Sequence, residues 1–240
     1  MLLLGHRGCR GKYVENTFSA FDHALESGCH GFELDVRQTA DAVPVIWHDA
    51  RLRGRFISRH PFAMLSERCA VPGRLPRRPV IDLCRLEQVL ARYAQVGWID
   101  IELKVRGLEA QVLEILRRHR PARGFVVSSF RRSVLLELHR MEPTVPLGLI
   151  FDRMPGRPIW RELPVAFVKP SVRLITATRV GQFHADGLKV LTWTVNYPGV
   201  MRRMVEAGVD GVIGDDPTML AKTKGTNQAA TPVGATPFGL

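Results

Sequence analysis

Glu33 and Asp35 stand two residues apart in the run Phe32-Glu33-Leu34-Asp35-Val36. On an extended strand that spacing turns both carboxylates to the same side of a sheet. Two such carboxylates repel each other and call for a cation. Glu102, in Ile101-Glu102-Leu103-Lys104, offers a third, and an all-oxygen set suits a hard divalent ion, Mg²⁺ or Ca²⁺, that keeps waters for exchange with substrate oxygens. The plainer reading pairs these carboxylates with Arg37 or Lys104. His6 and His48 are the natural general acid and base, because imidazole is the side chain whose ordinary pKa lies nearest neutrality. Asp49 follows His48 and could orient its ring, whereas the other six histidines have no such company. Arg7 and Lys104 could neutralise a phosphate, Arg as a two-pronged fork and Lys as a point charge, or simply balance the carboxylates. Trp193 could wall a pocket or pack in the core.

Short apolar runs alternate with helical patterns along the whole chain, the signature of repeated βα units around a parallel sheet. Strands are expected at Leu2–Leu4, His30–Asp35, Trp98–Leu103, Gly124–Ser128, Val145–Ile150, Ala166–Val168, Lys189–Thr192 and Asp210–Ile213. Helices are expected at Thr17–Glu26, Leu86–Tyr93, Leu108–Arg118, Ser133–Arg140, Thr178–Ala185 and Val200–Ala207, where apolar residues recur at three and four. Eight strands in 240 residues, 45% of them apolar, predict the α/β class and a single TIM-type (β/α)8 barrel over residues 1–221, close to the ~250 residues usual for that fold. An open doubly wound sheet would carry a glycine-rich dinucleotide fingerprint after its first strand, and His6-Arg7-Gly8 stands there instead. A barrel gathers its chemistry at the strand carboxyl ends. Those ends hold His6 and Arg7, Glu33 and Asp35, Glu102 and Lys104, Ser129, Lys169, Trp193 with Asn196, and Asp215.

Two segments depart from the pattern. Residues 51–85 carry nine arginines against Glu67 and Asp82, with little periodicity, and read as an insertion after the second βα region that could cover the site mouth. Residues 222–240 turn to Thr, Ala, Gly and Pro, too poor in core-forming side chains to pack, and are expected to form a disordered tail. Cys9, Cys29, Cys69 and Cys84 lack paired spacing, which favours a reducing, cytoplasmic setting over a disulfide or zinc framework. No apolar run is long enough to span a bilayer, so stable membrane insertion is not expected. The net charge of +11 suits an anionic substrate and leaves room for peripheral contact with an acidic surface. It does not point to nucleic acid, because only Phe56 and Phe62 interleave the basic segment and no recognition motif accompanies it.

The order Gly5-His6-Arg7-Gly8, Glu15-Asn16-Thr17, Phe32-Glu33-Leu34-Asp35-Val36, Pro44-Val45 and His48-Asp49 resembles the signature of the glycerophosphodiester phosphodiesterase family. The likeness continues through Ile101-Glu102-Leu103-Lys104, Ser128-Ser129-Phe130, Trp193-Thr194-Val195-Asn196 and Gly208-Val209-Asp210-Gly211, and covers roughly residues 2–221. It implies a barrel that hydrolyses glycerophosphodiesters to glycerol 3-phosphate and an alcohol with a divalent metal. Under the resemblance His6 and His48 are the acid/base pair, and Glu33, Asp35 and Glu102 the metal ligands. Arg7 and Lys104 hold the phosphate, Glu15 is a supporting site residue, and Asn16 caps the helix that begins at Thr17. The sequence departs from the family pattern at Val14, usually proline, at Ala42-Val43, where glycine commonly follows Asp41, and at Gly214, where threonine is common. The small-molecule glycerophosphodiester is the expected partner. A lysophospholipase D activity on single-chain lipids and a silent phosphodiester-binding barrel are the alternatives, the second disfavoured because every proposed chemical residue is present.

Overall fold

The computed structural model describes residues 1–70 and 83–227. In chain order the strands are β1 (Leu2–Gly5), β2 (Gly31–Gln38), β3 (Pro44–Ile46), β4 (Arg51–Leu52), β5 (Arg55–Phe56), β6 (Trp98–Leu103), β7 (Phe125–Ser129), β8 (Leu147–Phe151), β9 (Phe167–Pro170), β10 (Lys189–Trp193) and β11 (Gly211–Gly214). The helices are α1 (Phe18–Glu26), α2 (Phe62–Ala70), α3 (Leu86–Tyr93), α4 (Glu109–Arg118), α5 (Arg132–Met141), α6 (Ala177–Ala185), α7 (Pro198–Glu206) and α8 (Pro217–Asn227). Eight strands run parallel in the order β1, β2, β6, β7, β8, β9, β10, β11, and β1 pairs with both β2 and β11 to close a TIM-type barrel. All eight are strands expected from the apolar runs.

Alternation along each strand divides the core into two layers. The outward side chains Leu3, Phe32, Leu34, Val36, Ile99, Ile101, Val127 and Val190 meet the apolar faces of the surrounding helices in one continuous cluster. Phe21 of α1 stacks on Phe32 of β2 with ring centroids 4.2 Å apart. The inward side chains at the amino ends are also apolar: Leu2, Leu4, Trp98, Val126, Phe167, Leu191 and Ile213 plug the barrel. One step of two residues further along, the inward positions turn polar. They are Glu33 and Asp35 on β2, Asp100 and Glu102 on β6, Ser128 on β7 and Lys169 on β9, all buried. Register sets them side by side, with Glu33 opposite Asp100, Asp35 opposite Glu102, and Glu102 opposite Ser128.

β3 pairs antiparallel with the end of β2 through a tight turn. There Ala42 adopts φ 60°, its N–H donates to Thr39 O at 3.1 Å, and the Thr39 hydroxyl bonds Asp41 Oδ1 at 2.5 Å. The arginine-rich segment contains more order than its composition indicates. The β4–β5 hairpin, a 3₁₀ turn at Ile57–Arg59 and α2 pack around Val45, Leu52, Ile57, Leu65 and Leu83, while 71–82 lie outside the described residues. α8 runs to Asn227, beyond the Lys222 at which composition places the start of a tail, and the rest of that segment, 228–240, lies outside the described residues. Cys9, Cys29 and Cys84 are buried and in no disulfide among the described residues, and the side chain of Cys69 lies outside the described part. Among the described residues no helix is long and apolar enough to cross a membrane.

Candidate active site

The chain leaves β1 in a turn that only small residues allow. Gly8 has φ +81°, and a Cβ there would lie 2.5 Å from the carbonyl carbon of Ala20 in α1; a Cβ on Gly5 would lie 1.9 Å from Gly8 O. Arg7 between them takes the left-handed φ of 51°, a conformation that costs a side-chain-bearing residue roughly 1–2 kcal/mol. The turn seats His6 and Arg7 over the carboxyl ends of β1 and β2, with His6 N donating to Gly214 O at 2.8 Å.

Glu33, Asp35 and Glu102 converge as the strand spacing predicts, offering oxygens within 4.8 Å of one another. Lys104 Nζ lies 2.6 Å from Glu102 Oε1 and 3.1 Å from Asp35 Oδ1, and Arg7 Nε lies 3.0 Å from Asp35 Oδ2. Arg37 makes none of these pairs; its Nε donates to the His48 carbonyl at 2.7 Å. Burial opposes the charge of Asp35, but Lys104, Arg7 and a bond from Asn16 overcome it and hold the carboxyl below its usual range. Burial likewise works against Arg7 and Lys104, and the surrounding carboxylates more than compensate, raising both pKa values. Glu33 is the exception. Its oxygen accepts from Arg7 N at 3.0 Å and lies 3.9 Å from His6 Nε2, with no Lys or Arg ion pair among the described residues. Burial, then repulsion from Asp35 and Glu102, pushes its pKa well above normal. A buried, all-oxygen cluster with one carboxylate lacking a counterion fits a hard divalent cation.

Both proposed imidazoles are held by carboxylates. His6 Nδ1 lies 2.5 Å from Asp215 Oδ1, and His48 Nδ1 lies 2.8 Å from Asp49 Oδ1. An ionised carboxylate only accepts, so each Nδ1 carries the proton and each Nε2 is the free nitrogen. Asp215 is itself locked by a reciprocal pair, Asn196 Nδ2 to Asp215 Oδ2 at 2.6 Å and Asp215 N to Asn196 Oδ1 at 2.9 Å. Burial raises the Asp215 pKa, but the bond and charge of His6, followed by Asn196, leave it lowered. Glu15 bridges two arginines, accepting from Arg7 Nη1 at 2.7 Å and lying 3.0 Å from Arg10 Nε. Asn16 does not cap α1. It has φ 60° and gives its side chain to Asp35, Nδ2 to Oδ2 at 2.9 Å, while Thr17 is the N-cap and accepts from Ala20 N.

These groups line a pocket of about 220 Å³ that includes His6, Arg7, Arg10, Glu33, His48, Glu102 and Lys104. The opposite wall is Phe130, Ile150, Lys169, Trp193, Thr194 and Ile213. Trp193 both walls the pocket and packs: its Nε1 donates to Lys169 O at 2.9 Å and its ring meets Phe130 edge-on at 5.8 Å. Ser129 turns away from the interior and bonds Leu103 O at 2.8 Å; Ser128 is the inward serine. The supporting places of Asp215, Asn196 and Arg10 are set by contacts up to 209 residues apart in sequence. The available signal was that Asp215 continues the inward period two residues past Ile213.

A closed parallel barrel that gathers a carboxylate cluster, two carboxylate-held imidazoles and cationic side chains in one pocket has the construction of a phosphoric ester hydrolase. The chain matches the glycerophosphoryl diester phosphodiesterase family over residues 6–219 and belongs to it. It is 29% identical over 238 aligned residues to a glycerophosphodiester phosphodiesterase of Bacillus altitudinis, covering 92% of this chain and 97% of that protein. The solved glycerophosphodiester phosphodiesterase of Thermotoga maritima superimposes with TM-score 0.74 at 26% identity, over 92% of this chain and 97% of that one. A solved structure from Silicibacter pomeroyi does so with TM-score 0.81 at 27% identity, over 95% and 94%.

Proposed function

We propose that this phosphodiesterase hydrolyses small, water-soluble glycerophosphodiesters to glycerol 3-phosphate and an alcohol, in the cytoplasm, with Glu33, Asp35 and Glu102 holding Mg²⁺ or Ca²⁺. The observation that carries the reading is the pairing of two carboxylate-oriented imidazoles with a carboxylate cluster in one pocket. A divalent cation bound there supplies charge stabilisation for the phosphoryl oxygens. Arg7 gives Nη1 to Glu15 and sets Nε against Asp35 as an ion pair without a hydrogen bond, which leaves Nη2 for a phosphate oxygen. Lys104 forms ion pairs with Asp35 and Glu102 and lines the same pocket, where its ammonium serves the same purpose. One of His6 and His48 takes a proton from the attacking hydroxyl through Nε2, and the other returns a proton to the leaving alkoxide. Glu15 keeps Arg7 in place, and Trp193 forms a flat wall for the organic part of the substrate. The pocket of about 220 Å³, lined mainly by charged and polar groups around the carboxylate cluster, supports a small soluble diester as the substrate.

The test is release of glycerol 3-phosphate from glycerophosphocholine and glycerophosphoethanolamine by purified protein, with Mg²⁺, with Ca²⁺ and with EDTA. Release that depends on the metal supports the reading and ranks both metals and alcohols. Folded protein that releases nothing from either diester, under any of these conditions, refutes it. His6→Ala and His48→Ala should each lower turnover about 100-fold with the fold intact, the scale for loss of a general acid or base.

A further inference from the structure

Lys169 takes no part in the chemistry described above, yet it is only 2% exposed and lines the pocket. It rises from β9 across the barrel interior to Asp100 of β6, with which it forms an ion pair, and its Nζ donates to Ser128 Oγ of β7 at 2.9 Å. Ser128 in turn donates to Asp100 Oδ1 at 2.8 Å. Asp100 is fully buried and Ser128 equally so. The ammonium has three protons. Ser128 takes one, Asp100 balances the charge as an ion pair only, and among the described residues no hydrogen bond takes the rest.

The charge of Lys169 is already matched by Asp100, whereas the phosphate side of the pocket has Arg7, Lys104 and the carboxylate cluster. The pocket that Lys169 lines has Ile150, Ile213, Phe130 and the Trp193 ring as its apolar walls, with Trp193 Nε1 tied to the Lys169 carbonyl. A buried donor with protons to spare, its charge already paired with Asp100 and the pocket beside it walled by flat and aliphatic side chains, suits the uncharged hydroxyl of a small polyol rather than a second phosphate oxygen. We propose that Lys169, held by Asp100 and Ser128, is a specificity-determining residue that donates a hydrogen bond to a glycerol hydroxyl of the substrate. This rests on the glycerophosphodiester reading and adds the group that recognises its polyol half.

The test compares glycerophosphocholine with bis(4-nitrophenyl) phosphate, a diester without glycerol, at saturating metal. Lys169→Met should lower kcat/KM for glycerophosphocholine by about tenfold or more, the scale on which a site built for a hydroxyl discriminates. The aryl diester should change by less than about threefold, since it makes no use of that donor. Because Lys169→Met leaves Asp100 buried without a partner, the double variant Lys169→Met/Asp100→Asn removes both charges together. It should retain the selective loss. Recovery of glycerophosphocholine turnover in the double variant would show that Lys169 only neutralises Asp100, and an equal loss on both substrates in the double variant would show a structural role; either outcome overturns the inference. Wild-type protein that cleaves the aryl diester but not glycerophosphocholine overturns the functional reading itself. A wild-type enzyme active on both, with Lys169→Met unchanged on both, overturns only the role of Lys169.

Discussion

Replacing Asp215 with Asn tests whether the His6 imidazole is set by its partner. The two residues meet at 2.5 Å between Nδ1 and Oδ1, with the His6 side chain 11% and the Asp215 side chain 21% exposed. The amide keeps the volume and can keep one bond to Asn196, so the barrel should fold as before. What changes is the group facing Nδ1: an acceptor-only carboxylate becomes an amide that can turn its NH₂ to the ring, moving the imidazole proton to Nε2 and removing the lone pair there. A charge-assisted hydrogen bond contributes about 1.5–3 kcal/mol, which at about 1.4 kcal/mol per decade corresponds to roughly a 10- to 150-fold fall in kcat. The assay is steady-state release of glycerol 3-phosphate from glycerophosphocholine, with circular dichroism and a melting curve to verify the fold. KM should move much less than kcat, because Asp215 acts through His6. A folded Asp215→Asn protein turning over within threefold of wild type would refute the proposed orientation of His6.

Further expectations follow from the backbone and from the carboxylate cluster. Ala42→Gly should raise the urea midpoint by an amount corresponding to about 0.5–1 kcal/mol with the slope unchanged, because the left-handed cost of Ala42 exceeds the extra chain entropy of glycine; a lower midpoint would count against strain in that turn. Gly8→Ala should cost about 3 kcal/mol and reduce turnover, since the added methyl meets the backbone of α1 at 2.5 Å and has to displace the loop carrying Arg7; wild-type stability in denaturant would contradict this. The metal-free protein should lose stability as pH rises, because the folded pKa of Glu33 lies above its unfolded value: that contribution is complete below the unfolded pKa and gone above the folded one. A divalent ion competes with that proton, so the rise in Tm it produces should grow with pH over the same window, and a metal increment independent of pH would exclude Glu33 as a ligand.

How much of this was readable in the chain depended on whether the physical cause was local. The eight strands were, because each inward-outward alternation is written in consecutive residues, and so was the convergence of Glu33, Asp35 and Glu102, carboxylates at positions that a barrel otherwise fills with Val, Ile or Leu. Ser129 against Ser128 shows the limit of that method. Moving a strand position by one residue reverses the side it faces, and the sequence placed the wrong serine at the rim. Asn16 is a second case: asparagine favours helix caps in general, but here Asp35, 19 residues away, takes the side chain and Thr17 supplies the cap. The hairpin and α2 after Asp49 were obscured because arginine and proline dominate the composition, while the ordering comes from a small cluster around Leu52, Ile57 and Leu65.

The division of the barrel interior explains why so many charges can be gathered in one place. Four interior carboxylates, Glu33, Asp35, Asp100 and Glu102, meet three cationic side chains, Arg7, Lys104 and Lys169. Such a layer gains little net stability from its ion pairs, since desolvation offsets most of their attraction. Stability therefore has to come from elsewhere, and the apolar cluster of Leu2, Leu4, Trp98, Val126, Phe167, Leu191 and Ile213 contributes it within the same barrel. Because β6, β7 and β9 contribute to both layers at a spacing of two residues, this apolar cluster supports the register that sets the distances between the carboxylates. The carboxyl of Glu33, whose ionised form burial and its neighbours disfavour, can then be held in place without unfolding the barrel, which leaves an underbalanced cluster suited to a cation and an anionic diester together.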